Sequence, residues 1–424
     1  MIQKKDILPR VPLYYSVPML VICIIALLIL VFISRVEYPV LLLQVPTIPS
    51  NAINVSACSS LSQNNAYYIL NQSLNANSGC ITISGSNVTF DGQSKYWITG
   101  NGVNGASGVY ITGDNVIVSG LNISTFFYGI NAIWTNNSVL RSNFITDSGS
   151  PLLLHGFDNG LAVRNIINNS GSIFIEDSKN MTLLNNLITN PVNYGIRVFH
   201  YVDNYKINIK DNVISGTGAS YYSLDVGSAL SSIVYLLLEN NSFSSYRLNN
   251  TFVDLRHPTF GHINFTQLMN VSGTNLSNDI KLDYNFAEVR SDLNPGLNKS
   301  ATIYFSGLPI NITNISILRN SAICPSNICV NLTNFSGGNV IFNVTGWTNY
   351  TINWTGASTQ SQPQQPAQTM SINEPDPNEQ YTTAAFPVTF RVILSILNGS
   401  VKFSLNNGLT NTTMINDSSG VEFE

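Results

Sequence analysis

Apolar and polar positions between residues 115 and 244 fall into repeating rows, each opening at a polar turn and carrying a second Asn a few residues later. The rows open NVIVSGLNIS at Asn115, NSVLRSNFIT at Asn137, NGLAVRNIIN at Asn159, NMTLLNNLIT at Asn180 and NYKINIKDNVIS at Asn204. Each reads as a turn, a short apolar strand, an Asn, a second short strand, a variable bend and a third strand such as PLLLH, SIFIE or GIRVF. The inner Asn recurs at Asn122, Asn143, Asn165, Asn186 and Asn212, at intervals of 21 to 22 residues and then 26. A period of that length marks a repeat architecture, and no single row is large enough to bury its own apolar face. The rows must stack, which predicts a parallel β-solenoid.

Period-two alternation in the third strand sends Ile130 and Ala132, Leu152 and Leu154, Ile173 and Ile175, and Ile196 and Val198 inward. The inner Asn residues are expected to form a ladder, each amide donating to and accepting from its neighbours above and below. Asn also tolerates the left-handed backbone of a tight bend, so these residues are read as architectural. Residues 35–53 read as a Pro-containing stalk, and residues 54–79, with mixed apolar spacing, as a cap over the first rung. The solenoid itself is assigned to residues 80–246, opening on CITISGSNVTFDGQ. After residue 246 the period fails, and residues 247–280 read as an irregular connection. Residues 281–356 carry short alternating strands with turn residues between them, as in a small β-sandwich. Residues 357–378 form a Gln- and Pro-rich linker. Residues 379–424 supply three or four strands of an immunoglobulin-like unit, short of the roughly seven that a full one needs.

The N-terminus adds a membrane. Residues 16–34 contain no charge over 19 positions, enough to span a bilayer. Lys4, Lys5 and Arg10 precede them, so residues 1–15 are expected in the cytoplasm and the bulk of the chain outside. A cleaved signal peptide is the alternative, but the apolar run is long for one and no A-x-A-like site follows. Roughly two dozen N-x-[ST] sequons, among them Asn54, Asn87, Asn122, Asn180, Asn311, Asn343 and Asn398, agree with a glycosylated exterior protein. Four cysteines form two local pairs, Cys58 with Cys80 and Cys324 with Cys329, and read as disulfides outside the cell. Charged residues are only 10% of the chain and the formal net charge is −4, which offers no basic face to a nucleic acid.

The rows resemble parallel β-helix repeats of the right-handed, pectin-lyase-like type. CITISGSNVTFDGQ followed by GVYITGDNVIVSGLNIS is similar to the first coils of archaeal surface β-helix proteins and, more distantly, of periplasmic NosD-type proteins. The expected fold is therefore all-β: an N-terminal transmembrane helix, a right-handed parallel β-helix, a small β-sandwich and a partial immunoglobulin-like unit. The resemblance implies little about activity, since this superfold carries lyases, hydrolases, adhesins and tailspikes.

Chemistry is sought on the outward residues of the third strand. His155, Glu176, Asp177 and Arg197 are the candidate catalytic residues for a polysaccharide lyase or glycoside hydrolase, with Asp158, His200, Asp203 and Asp225 nearby in the sequence pattern. The register puts His155, Glu176 and Phe199 in one outward column and Leu153, Phe174 and Arg197 in the next. A hydrolase needs paired carboxylates, and a lyase needs a basic side chain with an acid cluster holding Ca²⁺. Neither the paired-Asp and G-H-G patterns nor a three-Asp cluster is present, so solvated surface charge is the plainer reading and no cofactor is expected otherwise. Copper, which the NosD-type resemblance implies, would rest on His155, His200, His257 and His262, a sparse set. Trp134, Phe174, Tyr194, Phe199 and Tyr201 are candidate sugar-stacking rings. The reading reached is a membrane-anchored surface protein acting in adhesion, envelope structure or glycan binding, with envelope proteins or glycans as partners. A carbohydrate-active enzyme on the same face is the alternative.

Overall fold

The computed structural model describes residues 48–355, except 202–204, 229–232, 311–312 and 334–337, and five short strands beyond residue 369. The apolar segment 16–34 lies outside the described residues, and no helix among the described ones is long and apolar enough to cross a membrane. Residues 48–360 form one compact unit. In the other unit, Met370–Glu374 pairs antiparallel with Arg391–Leu394, which pairs with Glu422–Phe423, and Lys402–Phe403 pairs with Thr412–Thr413. The first of these strands falls inside the stretch read from sequence as linker.

The main unit is a parallel solenoid of about eight turns with three faces. The long face stacks Ser107–Ile111, Tyr128–Asn136, Ser150–Asp158, Ile173–Glu176, Ile196–His200 and Leu224–Ser228 in parallel. A second face stacks Thr89–Asp91, Ile117–Ser119, Val139–Arg141, Leu161–Val163, Met181–Leu184, Tyr205–Lys210 and Val234–Glu239. The third is a separate seven-stranded sheet running from Leu74–Asn75 to Val213–Ser215. On the long face Val109, Ile130, Leu152, Ile173, Ile196, Leu224 and Tyr246 lie one above another, all with no exposed surface. Ile98, Ile123, Ile145, Ile167, Ile188 and Ile214 stack likewise on the third face, all buried. Burying each such aliphatic is worth roughly 1.5–3 kcal/mol, and like stacked on like fills the interior without voids.

Two kinds of residue make the corner between the second and third faces. Asn143, Asn165, Asn186 and Asn212 are buried, and each backbone N–H donates to the Oδ1 of the Asn in the following coil at 2.9–3.1 Å. Each Nδ2 also donates to that same Oδ1, at 2.9–3.2 Å, and to a carbonyl of the preceding coil. The left-handed backbone belongs to the residue before: Ser142, Arg164, Asn185, Asp211 and Asn240 have φ between 49 and 55°. Ladder and bend are therefore divided between neighbours, where the sequence reading gave both to one Asn. The ladder also starts one residue earlier than expected. Leu121, not Asn122, sits above Asn143 and gives it a backbone N–H at 3.1 Å, while Asn122 pairs with Phe144 and is half-buried. It ends one coil later than expected, at Asn241. The conspicuous row-opening residues Asn115, Asn137, Asn159 and Asn180 are left-handed too, at φ 52–54°, and turn a second corner.

Three further expectations change. Residues 54–79 form a coil of the solenoid: Ser60–Leu61, Tyr67–Leu70 and Leu74–Asn75 pair parallel with the next coil, and the Cys58–Cys80 disulfide ties them down. Residues 247–280 are ordered. Tyr246–His257 is a twelve-residue strand that pairs parallel with both Leu224–Ser228 and Val234–Glu239. Its other side pairs antiparallel with Gly261–Phe265 and Met269–Gly273. The sandwich then grows directly from this strand. Gly261–Phe265, Ala301–Phe305, Val340–Val344 and Cys329–Asn331 continue the sheet antiparallel. A five-stranded antiparallel sheet of Ile280–Asp283, Phe286–Val289, Asn349–Thr355, Thr313–Arg319 and Ala322–Ile323 faces it. Phe305, Phe342, Trp347 and Tyr350 fill the space between, with neighbouring rings 5.6–6.0 Å apart. The Cys324–Cys329 disulfide joins the two layers.

Candidate functional site

The long face carries the outward columns anticipated from alternation. His155 lies beside Glu176 and Glu176 beside Phe199, while Leu153, Phe174 and Arg197 are in register in the next column. That second column continues through Asp225 to Arg247, which sequence reasoning missed because the period fails at residue 246. From the Trp134 coil to the Arg247 coil is five strand spacings, roughly 24 Å.

Three features mark this ribbon. At one end Trp134 holds a left-handed backbone at φ 51°, uncommon for so bulky a residue, and is 66% exposed. Its ring meets His155 edge-on at 4.6 Å and lies against Gly156, where a Cβ would come within 2.3 Å of the indole. Only Gly allows that approach. Beside it, His155 Nδ1 and Glu176 Oε2 are 3.0 Å apart, both partly exposed. In the middle, the Arg197 guanidinium is surrounded by three rings, Tyr194 at 4.9 Å, Phe174 at 5.6 Å and Phe199 at 5.9 Å. Glu176, Phe174, Tyr194 and Arg197 line a groove of about 340 Å³. At the far end a groove of about 580 Å³ holds Arg197, Asp225 and Arg247. The Asp225 side chain is fully buried and takes Arg247 Nε at 2.6 Å, Arg247 Nη2 at 2.9 Å and Arg197 Nε at 3.4 Å. Those hydrogen bonds hold Arg247 above its ordinary pKa and leave both guanidiniums partly open to the groove.

The remaining candidates separate from this ribbon. Asp177 sits at a left-handed corner, φ 45°, where its Oδ1 accepts from the Tyr201 N–H at 3.0 Å and lies 3.7 Å from His200 Nδ1. It does not line the groove beside Glu176. Tyr201 is exposed and meets Phe199 edge-on at 5.1 Å. His200 points into the solenoid and is fully buried. Asp203 lies outside the described residues. His257 accepts from the Thr259 and Phe260 N–H groups, and His262 stacks on Tyr304 at 5.1 Å. His262 is opposite Arg256, the strand neighbour of His257, so the two imidazoles face opposite ways. Among the described residues no three His, Cys, Asp or Glu are grouped to hold a metal ion.

Burial pushes the His200 pKa down to about 4, against a smaller upward pull from Asp177. The unfolded chain then binds a proton, with the ordinary pKa of about 6.5, that the folded chain refuses. Stability should fall as pH drops from about 6.5 to about 4, by roughly 3 kcal/mol in all. Urea midpoints measured across that range should show this slope, and His200→Gln should flatten it. An unchanged slope in the variant would assign the acid limb elsewhere.

The geometry defines a class: a three-faced parallel β-helix with an aromatic and arginine-lined groove along its long face. Residues 51–214 match the family described as right handed beta helix region, in keeping with the parallel solenoid these residues form. The match begins at the end of the stretch read from sequence as stalk and takes in the whole of residues 54–79, read as a cap. The curated proteins give no match to the chain.

Proposed function

We propose that the chain is a membrane-anchored, glycosylated cell-surface protein whose long β-helix face binds glycans, in adhesion or envelope structure. The observation that carries this reading is the Arg197 guanidinium set among Phe174, Tyr194 and Phe199 in an open groove. Rings supply flat apolar faces for pyranose C–H surfaces, and guanidiniums supply forked donors for hydroxyls and carboxylates. With Arg247 as a second cation in the same run, acidic glycans are the favoured ligands. The uncharged 16–34 segment behind Lys4, Lys5 and Arg10 supports the anchor, and the exposed sequons Asn54, Asn87 and Asn180 support glycosylation. A partner among other envelope proteins and the likeness to archaeal surface β-helices belong to the same proposal.

The hydrogen-bonded His155–Glu176 pair at the groove is what favours a second reading, a lyase or hydrolase, with Ca²⁺ as cofactor in the lyase case. Hydrolysis needs two free carboxylates about 5–10 Å apart. Glu176 faces the groove, but Asp225 is buried against two arginines, so binding without turnover is the better fit.

The test is a screen of the full chain against uronate-containing and neutral polysaccharides, with and without Ca²⁺. Binding to the acidic set should weaken at least about tenfold in Arg197→Ala, the loss of one charged contact. Release of unsaturated or new reducing ends that disappears in Glu176→Gln would replace the binding reading with the enzymatic one.

A further inference from the structure

The Asn ladder runs one way. Leu121, Asn143, Asn165, Asn186 and Asn212 each direct a backbone N–H to the Oδ1 of the next ladder Asn, and the four Asn among them add an Nδ2 proton to the same oxygen. Asn241 receives both donors from Asn212 and spends one of its own Nδ2 protons on the Ile209 carbonyl at 2.6 Å. No coil follows with a further Asn. The Asn241 N–H finds no acceptor among the described residues, nor does that of Asn240, whose counterparts Asn185 and Asp211 donate to Lys210 and Glu239 of the next coil. Where that next coil would lie there is a cleft of about 390 Å³ lined by Asn240 and Asn241. Phe243 and Leu276, with Ile280 and Phe286 from the sandwich, give it apolar walls.

We infer that this cleft is a binding site for an N-acetylated sugar, whose acetamido carbonyl takes the place of the missing ladder oxygen. The donors converge on one point because they do so in every earlier coil, and the acceptor that fills the point there is an amide oxygen. Asn240 is exposed and Asn241 half-buried, so water meets these donors in the free protein, and a ligand oxygen that takes the Asn241 N–H and Nδ2 together replaces that water. The rim favours a neutral ligand over an anion. Its cations are engaged, Arg256 with Asp254 at 2.7 Å and Lys281 with Glu288 at 3.6 Å, and Glu239 and Asp283 stand beside them. An acetamido methyl suits the apolar walls, while Asp283 and Ser277 are placed for ring hydroxyls, Glu239 being held by Lys210 at 2.7 Å. This site is separate from the long-face groove and does not depend on its reading.

The experiment is amide NMR on the ¹⁵N-labelled full chain, titrated with N-acetylglucosamine and, separately, with glucose. The backbone signals of Asn240 and Asn241 and the Asn241 side-chain amide should shift downfield saturably with the first and stay put with the second. Asn241→Asp keeps an oxygen for Asn212 but removes the Nδ2 donors, and should weaken the response at least tenfold. Ser277→Trp, an exposed position on the cleft wall, should abolish it with the ladder intact. Equal shifts with glucose, no shifts, or a response that survives Ser277→Trp would each overturn the proposal. Tighter binding of N-acetylasparagine methylamide than of the sugar would overturn it in favour of a peptide.

Discussion

Replacing Asn165 by Ala should cost about 3–6 kcal/mol, several times the effect of an ordinary buried polar substitution. The side chain is fully buried and its Oδ1 receives both the N–H and the Nδ2 of Asn143. Its own Nδ2 supplies the Leu140 carbonyl at 2.9 Å and the Asn186 Oδ1 at 3.0 Å. Truncation leaves two donors and a carbonyl of neighbouring coils unsatisfied in an interior that water cannot enter, at about 1–3 kcal/mol each before relaxation. Asn122→Ala is the matched control. That residue is half-buried off the ladder and donates to the Tyr96 carbonyl at 3.3 Å, so a loss of about 0.5 kcal/mol or less is expected. Urea midpoints for the two variants, with hydrogen exchange at the ladder amides, decide the matter. Equal midpoints would mean that side-chain stacking, and not the amide ladder, fixes the corner.

Asp225→Ala is the second large effect, about 3 kcal/mol in stability together with loss of glycan binding. The carboxylate is the fully buried centre of the Arg197–Asp225–Arg247 run. Without it two cations face each other across a void, and the ring cluster around Arg197 loses its anchor. The usual cost of breaking a buried pair is about 3–5 kcal/mol, and the lower end applies because both guanidiniums are partly exposed and can turn to water. Asp225→Asn, which keeps the shape, should lose less stability but still weaken binding. A denaturation midpoint for Asp225→Ala within error of the parent would show that the two arginines need no counter-charge.

Much of this was readable in the residues. The interior aliphatics and the His155–Glu176 and Phe174–Arg197 columns follow from period two alone, because β alternation leaves a side chain only two directions. What alternation cannot give is the backbone between strands. Asp177 and Trp134 sit at left-handed corners, so their direction is set by φ and not by parity. Asn122 misled by one position because its coil has Gly120 at the left-handed site and Leu121 at the ladder site, with Asn merely adjacent. The first coil looked irregular because Ser60–Leu61 and Leu74–Asn75 are two residues long, too short for any period to show. After residue 246 the repeat vanishes because chain direction alternates in an antiparallel sheet, so equivalent residues no longer recur at a fixed spacing.

That reversal has a consequence for how many copies of the fold can join. A parallel solenoid has no intrinsic length, since each coil presents the next with the same row of peptide groups, as a growing fibril tip does. The strand Tyr246–His257 breaks the symmetry: parallel partners on one side, antiparallel on the other. A second molecule arriving with its first coil finds no matching row to extend. The row that a further coil would extend is thereby closed by a dozen residues of the chain's own sequence.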